Sequence, residues 1–226
     1  MNRLIGTLPA RTRRQLLENC RPVELVFAEV LAEPGDRIRE VYFPTSGFIS
    51  LVDALDEHAS LEVALVGDEG MLGTSLALGV DISPLRALVQ GAGWALRMDA
   101  EQFRDVFQKS EPLQHLLQNY LYVVMGQVAR NAGCVHFHLV EARLARWLLM
   151  MNDRAHSDRL YATHEFMANM LGVRRAGVTR AATILQTREL IRYRRGCIDI
   201  LDRAELERTS CGCYAADNTL YARVMS

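Results

Sequence analysis

The chain has 226 residues, of which 50% are hydrophobic and 23% charged, with a formal net charge of −1. That composition excludes collagen-like and disordered chains, and no apolar run reaches the roughly 18–20 residues of a membrane helix. The N-terminus has no signal-peptide core, and five cysteines, an odd number, do not read as a secreted disulfide framework. The expectation is a cytoplasmic protein of one or two domains.

In chain order, residues 20–98 read as short strands broken by turns. Strands are expected at 23–28, 39–43, 48–55, 61–66, 85–90 and 94–98. The separating turns are Glu33-Pro34-Gly35-Asp36, Pro44-Thr45-Ser46-Gly47, Asp56-Glu57-His58, Gly67-Asp68-Glu69-Gly70 and Gly91-Ala92-Gly93. Short strands at regular spacing mean an all-β sandwich, jelly roll or barrel. A short amphipathic helix is expected over 100–108. A long helix starts near Glu111-Pro112, proline suiting a first helical turn. Leu113, Leu116, Leu117, Tyr120, Val123, Val124, Gln127 and Val128 follow its i, i+3, i+4 spacing. That stripe packs either on its own domain or on a second copy. The seam reading assigns Leu113, Leu117, Tyr120, Val124, Gln127 and Val128 to dimerisation, in keeping with the prevalence of two-fold dimers. Asn131-Ala132-Gly133 reads as a hinge, because glycine weakens a helix.

A second apolar helix follows, carrying Leu139, Leu144, Trp147, Leu148 and Met151. Met150, Met151, Met167 and Met170 read as core filler. In Cys134-Val135-His136-Phe137-His138, alternate residues share a face only if the segment is extended. Three soft ligands do not close a zinc site, and Cys211-Gly212-Cys213 is too short to fix a metal alone, so no metal site is assigned.

The most informative stretch begins at Thr163, whose hydroxyl suits a helix cap. Phe166, Met167 and Met170 give one apolar face, Ala168 lets a second helix cross closely, and Gly172 permits the tight turn between them. Val178, Ala182 and Leu185 then face inward, leaving Arg174, Arg175, Ala176, Thr179 and Arg180 on an outer N-terminal face of the kind presented to the major groove. Residues 190–201 read as a two-stranded wing turning at Arg195-Gly196, with Arg194 and Arg195 at its tip suited to phosphate. The net charge conceals this polarity. Residues 1–130 hold 12 basic and 17 acidic side chains, and residues 131–226 hold 14 and 10. Between 174 and 195 there are seven arginines and one acid, Glu189.

The order of β-domain, long helix, apolar helix, helix-turn-helix and wing resembles the Crp/Fnr family of bacterial transcription regulators. Glu33-Pro34-Gly35-Asp36, Val41-Tyr42-Phe43-Pro44, Gly67-Asp68-Glu69-Gly70 and Leu144-Ala145-Arg146-Trp147-Leu148-Leu149 carry the likeness over about residues 15–205. The implied fold is α+β: a β jelly roll of the cyclic-nucleotide-binding type over 1–110, a dimerisation helix and hinge over 111–136, and a winged helix-turn-helix over 137–226. The implied partners are a second copy, double-stranded DNA with a near-palindromic operator, and RNA polymerase as a candidate, with no membrane. By the resemblance, Arg175 matches the family's guanine-reading arginine and Arg180 its second base- or phosphate-contacting arginine. Ala176 departs from the glutamate common there, so the operator should differ at that step.

The resemblance also raises an effector. In cyclic-nucleotide-binding members a Gly-Glu pair grips the ribose and an arginine pairs the phosphate. Here Gly73-Thr74 stands at the Gly-Glu position, so the carboxylate is missing. Gly70, Gly73, Thr74 and Arg86 are the candidate effector residues, with Gly70 and Gly73 offering an anion-binding nest of amides. The cofactor reading stays open between a cyclic nucleotide, another small effector and none. An N-terminal iron–sulfur sensor is excluded, since only Cys20 precedes Cys134. No Walker loop or nucleophile elbow points to an enzyme. A sensor or scaffold whose winged domain binds protein is the alternative class.

Overall fold

A computed structural model of the chain describes residues 1–54 and 60–225. Leu55, which closes the strand expected at 48–55, and the expected turn Asp56-Glu57-His58 lie outside the described residues. Two short helices, α1 (Arg3–Gly6) and α2 (Ala10–Glu18), open the chain. Asn2 is fully buried there. Its side chain caps α1 by accepting from the Ile5 N–H and donates to the carbonyls of Pro44 and Gly70, each at 2.9 Å.

Strands β1 (Arg21–Leu25), β2 (Val30–Ala32), β3 (Glu40–Ala54), β4 (Ser60–Val66) and β5 (Arg86–Asp99) form one antiparallel sheet in the order β1-β5-β3-β4, with β2 on β5. Two expected turns are corrected. Pro44–Gly47 and Gly91–Gly93 lie inside the long strands β3 and β5, which pair from Glu40↔Asp99 to Val52↔Arg86. Their register shifts between Pro44 and Ile49. Gly47 has φ +70°, and a Cβ there would strike the Gly91 carbonyl oxygen, while one on Gly93 would strike the Ser46 carbonyl. These glycines mark bulges rather than chain reversals, and bulges bend and twist the strands that carry them.

Helix α3 (Ala100–Gln108) occupies its expected span, capped by Asp99. Helix α4 (Glu111–Phe137) has Ser110 as its cap and proline in its first turn. It passes through Asn131-Ala132-Gly133 unbroken, so the hinge expected there is corrected. The break falls at His138 and Leu139, both in extended conformation. A single helical glycine costs only about 1 kcal/mol, less than a long packed helix supplies.

Next come α5 (Val140–Ala155), β6 (Arg159–Tyr161), α6 (His164–Leu171), α7 (Arg175–Thr187), the hairpin β7 (Ile191–Arg194) and β8 (Cys197–Ile200), and α8 (Arg203–Thr209). The small sheet has the order β6-β8-β7. The last helix, α9 (Cys213–Met225), falls in the 137–226 segment but returns to the N-terminal body. Met225 is buried in the core built by Leu4, Leu16, Phe43, Phe103 and Leu117. Its Asp217 pairs with Arg146 at 2.9 Å and also with Arg130.

The two bodies share a continuous core. Phe48, Val52 and Leu65 of the large sheet join Leu144, Leu148, Met151, Met167, Val178 and Leu185. Met151, Met167 and Met170 are buried, as their reading as filler requires. A polar latch crosses the same junction. Trp147 Nε1 on α5 donates to Glu62 at 2.9 Å, Ser50 Oγ donates to Glu62 at 2.7 Å, and Arg154 pairs with Glu69 at 2.7 Å. Burial pushes the Glu62 carboxyl up to about 7, against the pull of its Ser50 and Trp147 hydrogen bonds.

Candidate nucleic-acid interface and effector cavity

The helix-turn-helix is built from local signals. Thr163 Oγ1 accepts from the Phe166 N–H at 3.1 Å and starts α6. Gly172 ends it in the left-handed region, φ +60°. Val178, Ala182 and Leu185 are buried, together with Ala181, against α5 and α6. Arg174, Arg175, Ala176, Thr179 and Arg180 are exposed on the opposite face. Arg174 is the residue before the first turn of α7, so the helix N-terminus and the arginines face solvent together. A helix N-terminus favours anions, which adds to the arginine charge at this end.

The wing turns at Arg195-Gly196, with φ +52° and +83°. Two successive positive φ values are the requirement of the tightest hairpin loop. Arg192, Arg194 and Arg195 are exposed along it. Among the described residues, Arg174, Arg180, Arg192, Arg194 and Arg195 form no ion pair. Arg175 has one loose contact, 3.7 Å to Glu165, with both side chains highly exposed. Arg188 differs: it is held by Glu141 and Glu205 and is part of the scaffold.

Two residues the motif did not flag complete this face. The His164 ring stacks on Tyr193 of the wing with centroids 4.4 Å apart. Thr179 Oγ1 donates to the Arg175 carbonyl at 3.1 Å and meets His164 Nδ1 at 3.0 Å. With the Thr179 proton committed to that carbonyl, the His164 Nδ1–H is the donor to Thr179. Burial and the neighbouring Arg175 lower the His164 pKa, which favours this neutral ring. The stack ties wing to helix, and Thr179 is held in place before any DNA arrives. Sequence spacing gives no hint of it, because residues 164, 179 and 193 meet only in three dimensions.

The effector residues are not brought together. A cavity of about 530 Å³ lies between the large sheet and α4, lined among others by Arg37, Arg39, Tyr42, Gly73, Thr74 and Val124. That size suits a small ligand. Gly73 and Thr74 border it, but Gly70 and Arg86 do not. The Gly70 N–H donates to the Gly67 carbonyl at 3.1 Å. A Cβ on Gly70 would strike the Tyr120 hydroxyl, so Gly70 is a packing glycine. The nest expected from Gly70 and Gly73 is corrected accordingly. Arg86 is 47% exposed on its side chain and pairs with Glu33 at 2.8 Å, which makes it a surface ion-pair partner here.

The seam on α4 is also redrawn. Leu113, Leu117, Tyr120 and Val123 are buried in the chain's own core. Of the residues expected at a dimer seam, Leu113, Leu117 and Tyr120 are therefore corrected to intramolecular packing. Val124 and Gln127 are half-buried and Val128 is exposed. A second stripe faces solvent: Gln118, Tyr122, Met125, Ala129, Ala132 and His136. Tyr122 is 61% and Met125 70% exposed.

Near the end of α4, Cys134 and His138 approach Cys211 of the α8–α9 connection and Cys213 at the start of α9, with one ligand atom of each within 4.8 Å of the others. His136 lies on another face and packs edge-on against Phe137.

Comparison with known proteins agrees with this geometry. Residues 142–209 match the Crp-like helix-turn-helix domain. A sequence search of curated proteins returned no match. Solved structures share the fold at low identity. The c-di-GMP-responsive global regulator CLP of Xanthomonas campestris aligns at TM-score 0.69 and 18% identity, over 86% of this chain and 100% of that one. FixK2 of Bradyrhizobium japonicum aligns at TM-score 0.71 and 14% identity, over 85% and 98%. A CRP-family transcriptional regulator of Thermus thermophilus aligns at TM-score 0.68 and 19% identity, over 83% and 96%. Among the described residues no helix is long and apolar enough to cross a membrane. The chain thus carries a Crp-like helix-turn-helix domain over residues 142–209 and shares its overall fold with solved structures of Crp/Fnr-type regulators.

Proposed function

We propose that the protein is a homodimeric, sequence-specific DNA-binding transcription regulator, with α7 entering the major groove and the wing lying on the backbone. The observation that carries this is the exposed N-terminal face of α7, where Arg175 and Arg180 flank a pre-positioned Thr179. Arginine forks guanine O6 and N7, each good pair worth roughly 1–3 kcal/mol of discrimination. Thr179 suits a thymine methyl or a phosphate. Arg194 and Arg195 on the wing neutralise phosphates, which sets affinity rather than sequence.

The dimer reading rests on the second stripe of α4. Positions 118, 122, 125, 129, 132 and 136 alternate four- and three-residue steps, the a/d spacing of a two-stranded coiled coil. Two copies joined there hold two recognition helices for half-sites about one helical turn apart, roughly 34–36 Å. The family's ribose carboxylate is absent at Thr74, and Arg86 stands outside the cavity, which weighs against a cyclic nucleotide. The cavity's contact with Val124 of α4 favours a second reading, in which another small ligand biases the dimer helix. Such a ligand acts only through different affinities for two states. RNA polymerase remains a candidate partner for an activator. The test is a nuclease footprint on duplexes selected from a random library. Two protected half-sites related by a dyad support the proposal. An unprotected library, with no enriched sequence, rejects it in favour of a protein-binding winged module.

A further inference from the structure

Four metal-ligating side chains distant in sequence converge at the break between α4 and α5. Cys134 lies in the last turn of α4 and His138 immediately after it, four residues on and therefore on the same face. Cys211 closes the approach to α9, and Cys213 is its first residue. The Cys134 and Cys211 sulfurs are 3.5 Å apart, and Cys213 Sγ is 3.6 Å from His138 Nδ1. All four ligand atoms fall within 4.8 Å of one another. The three cysteines are buried, while His138 is exposed and leaves a way in for an ion.

We propose that Cys134, His138, Cys211 and Cys213 bind one zinc ion that fastens α4 to α9. The spacing is that of a tetrahedral site. Zinc–sulfur bonds of about 2.3 Å place the corners of a tetrahedron about 3.8 Å apart, so the four atoms need only a small contraction. Three cysteines and a histidine are a common closed structural set for zinc. A two-iron cluster spreads its ligands over two metals, and four atoms this close fit a single ion better. On binding, the three thiols release their protons to solvent and His138 coordinates as the neutral ring. Three thiolates on one Zn²⁺ leave one net negative charge. Arg143 and Arg146 line the same small cavity as Cys134 and offset it, and Cys213 at the start of α9 also meets the positive end of a helix.

The location gives the ion a role. His138 is the break between α4 and α5, and Asp217 on α9 already clamps Arg130 of α4 and Arg146 of α5. Zinc would lock the same three helices where the dimer helix passes into the winged domain. This holds whether or not the DNA reading above is correct, because metal content is read independently.

The experiment is metal analysis of the full chain purified under reducing conditions without chelator, with cobalt substitution as a second measurement. The expected result is one zinc per chain, and a tetrahedral cobalt spectrum with thiolate-to-cobalt charge transfer. Cys134→Ser and Cys213→Ser should each abolish both signals, while His136→Asn, two residues from a ligand and on another face, should leave them intact. Folding of the serine variants is checked by circular dichroism. If they fail to fold, loss of zinc from the intact wild-type chain on chelation, with recovery of its thermal midpoint when zinc is restored, carries the same proof. Freely titratable thiols with no stoichiometric metal and no cobalt spectrum would overturn the site. So would a Cys134–Cys211 disulfide in the purified chain, an iron–sulfur chromophore, or trace zinc that Cys134→Ser does not reduce.

Discussion

The two halves of the molecule use arginine in opposite ways. In the β-domain and its junction most of the arginines are spent on partners: Arg3 on Asp68, Arg37 on Asp81, Arg86 on Glu33, Arg97 on Glu40, Arg154 on Glu69. Arg11, Arg14 and Arg39 are scattered exceptions with no ion pair among the described residues. On α7 and the wing, Arg174, Arg180, Arg192, Arg194 and Arg195 form no ion pair among the described residues, and Arg175 has only its loose contact with Glu165. Charge that a protein leaves unpaired on one face is available to an outside partner, and its counter-ion atmosphere makes that face a target for polyanions. A residue count cannot make this distinction, since a bound and a free guanidinium carry the same charge. Arg86 and Arg175 are both arginines picked out by resemblance, and their partners separate them.

The change expected to act most strongly on this contrast removes neither arginine set but the linkage between copies. Met125→Glu places a charge in the middle of the exposed α4 stripe. Sedimentation should show a monomer, and affinity for a two-half-site duplex should fall roughly 10²- to 10⁴-fold as the second contact ceases to be intramolecular. Leu117 is buried inside the chain, so its substitution would unfold the domain rather than separate copies. Next is Arg175→Ala, with an expected loss of about 1–3 kcal/mol and relaxed preference at one base pair of each half-site. Binding competition with single-base variants reads it, and unchanged selectivity would reassign the residue. A smaller, uniform effect is expected of Arg195→Ala. It should weaken all duplexes alike and reduce the slope of log affinity against log salt by about one.

The smallest effect on DNA binding is expected at Glu62, in the paired half. Its pKa stands near 7 in the folded chain, above that of a free carboxyl. The folded state therefore holds a proton that the unfolded state releases, and the stability this supplies is present below about 4.5 and lost as pH rises toward 7. Glu62→Gln keeps one acceptor oxygen for Trp147 and turns an NH2 donor toward Ser50 Oγ, which can accept it, without the charge. A thermal midpoint insensitive to pH between 5 and 8 in the variant, against a wild-type midpoint that falls over the same range, checks the assignment.

What was legible in the sequence divides along the same line. The helix-turn-helix and wing were readable because their signals are local: a cap at Thr163, a left-handed Gly172, and a buried Val178-Ala182-Leu185 face. The long helix was readable as a helix, but α4 is apolar on two faces. Periodicity alone cannot say that Leu113, Leu117 and Tyr120 turn inward while Tyr122 and Met125 turn out. Gly47, Gly91 and Gly93 were misread because glycine marks a bulge and a turn equally well; only the crossing backbones of β3 and β5 decide. The two halves of the zinc set were visible, but their meeting was not, for a plainer reason. Its two halves lie 77 residues apart between Cys134 and Cys211, and neither half closes a site by itself.

The central claim, that the unpaired arginine face reads DNA, is tested most directly by one titration. The full chain is titrated against a library-selected duplex and a scrambled duplex of equal length, at low and at physiological salt. Tighter binding to the selected duplex is expected at both salts. Affinity for each duplex should fall steeply as salt rises, by roughly a thousandfold or more between 50 and 200 mM if six or more phosphates are neutralised. Equal affinity for the two duplexes, or binding indifferent to salt, would contradict the claim.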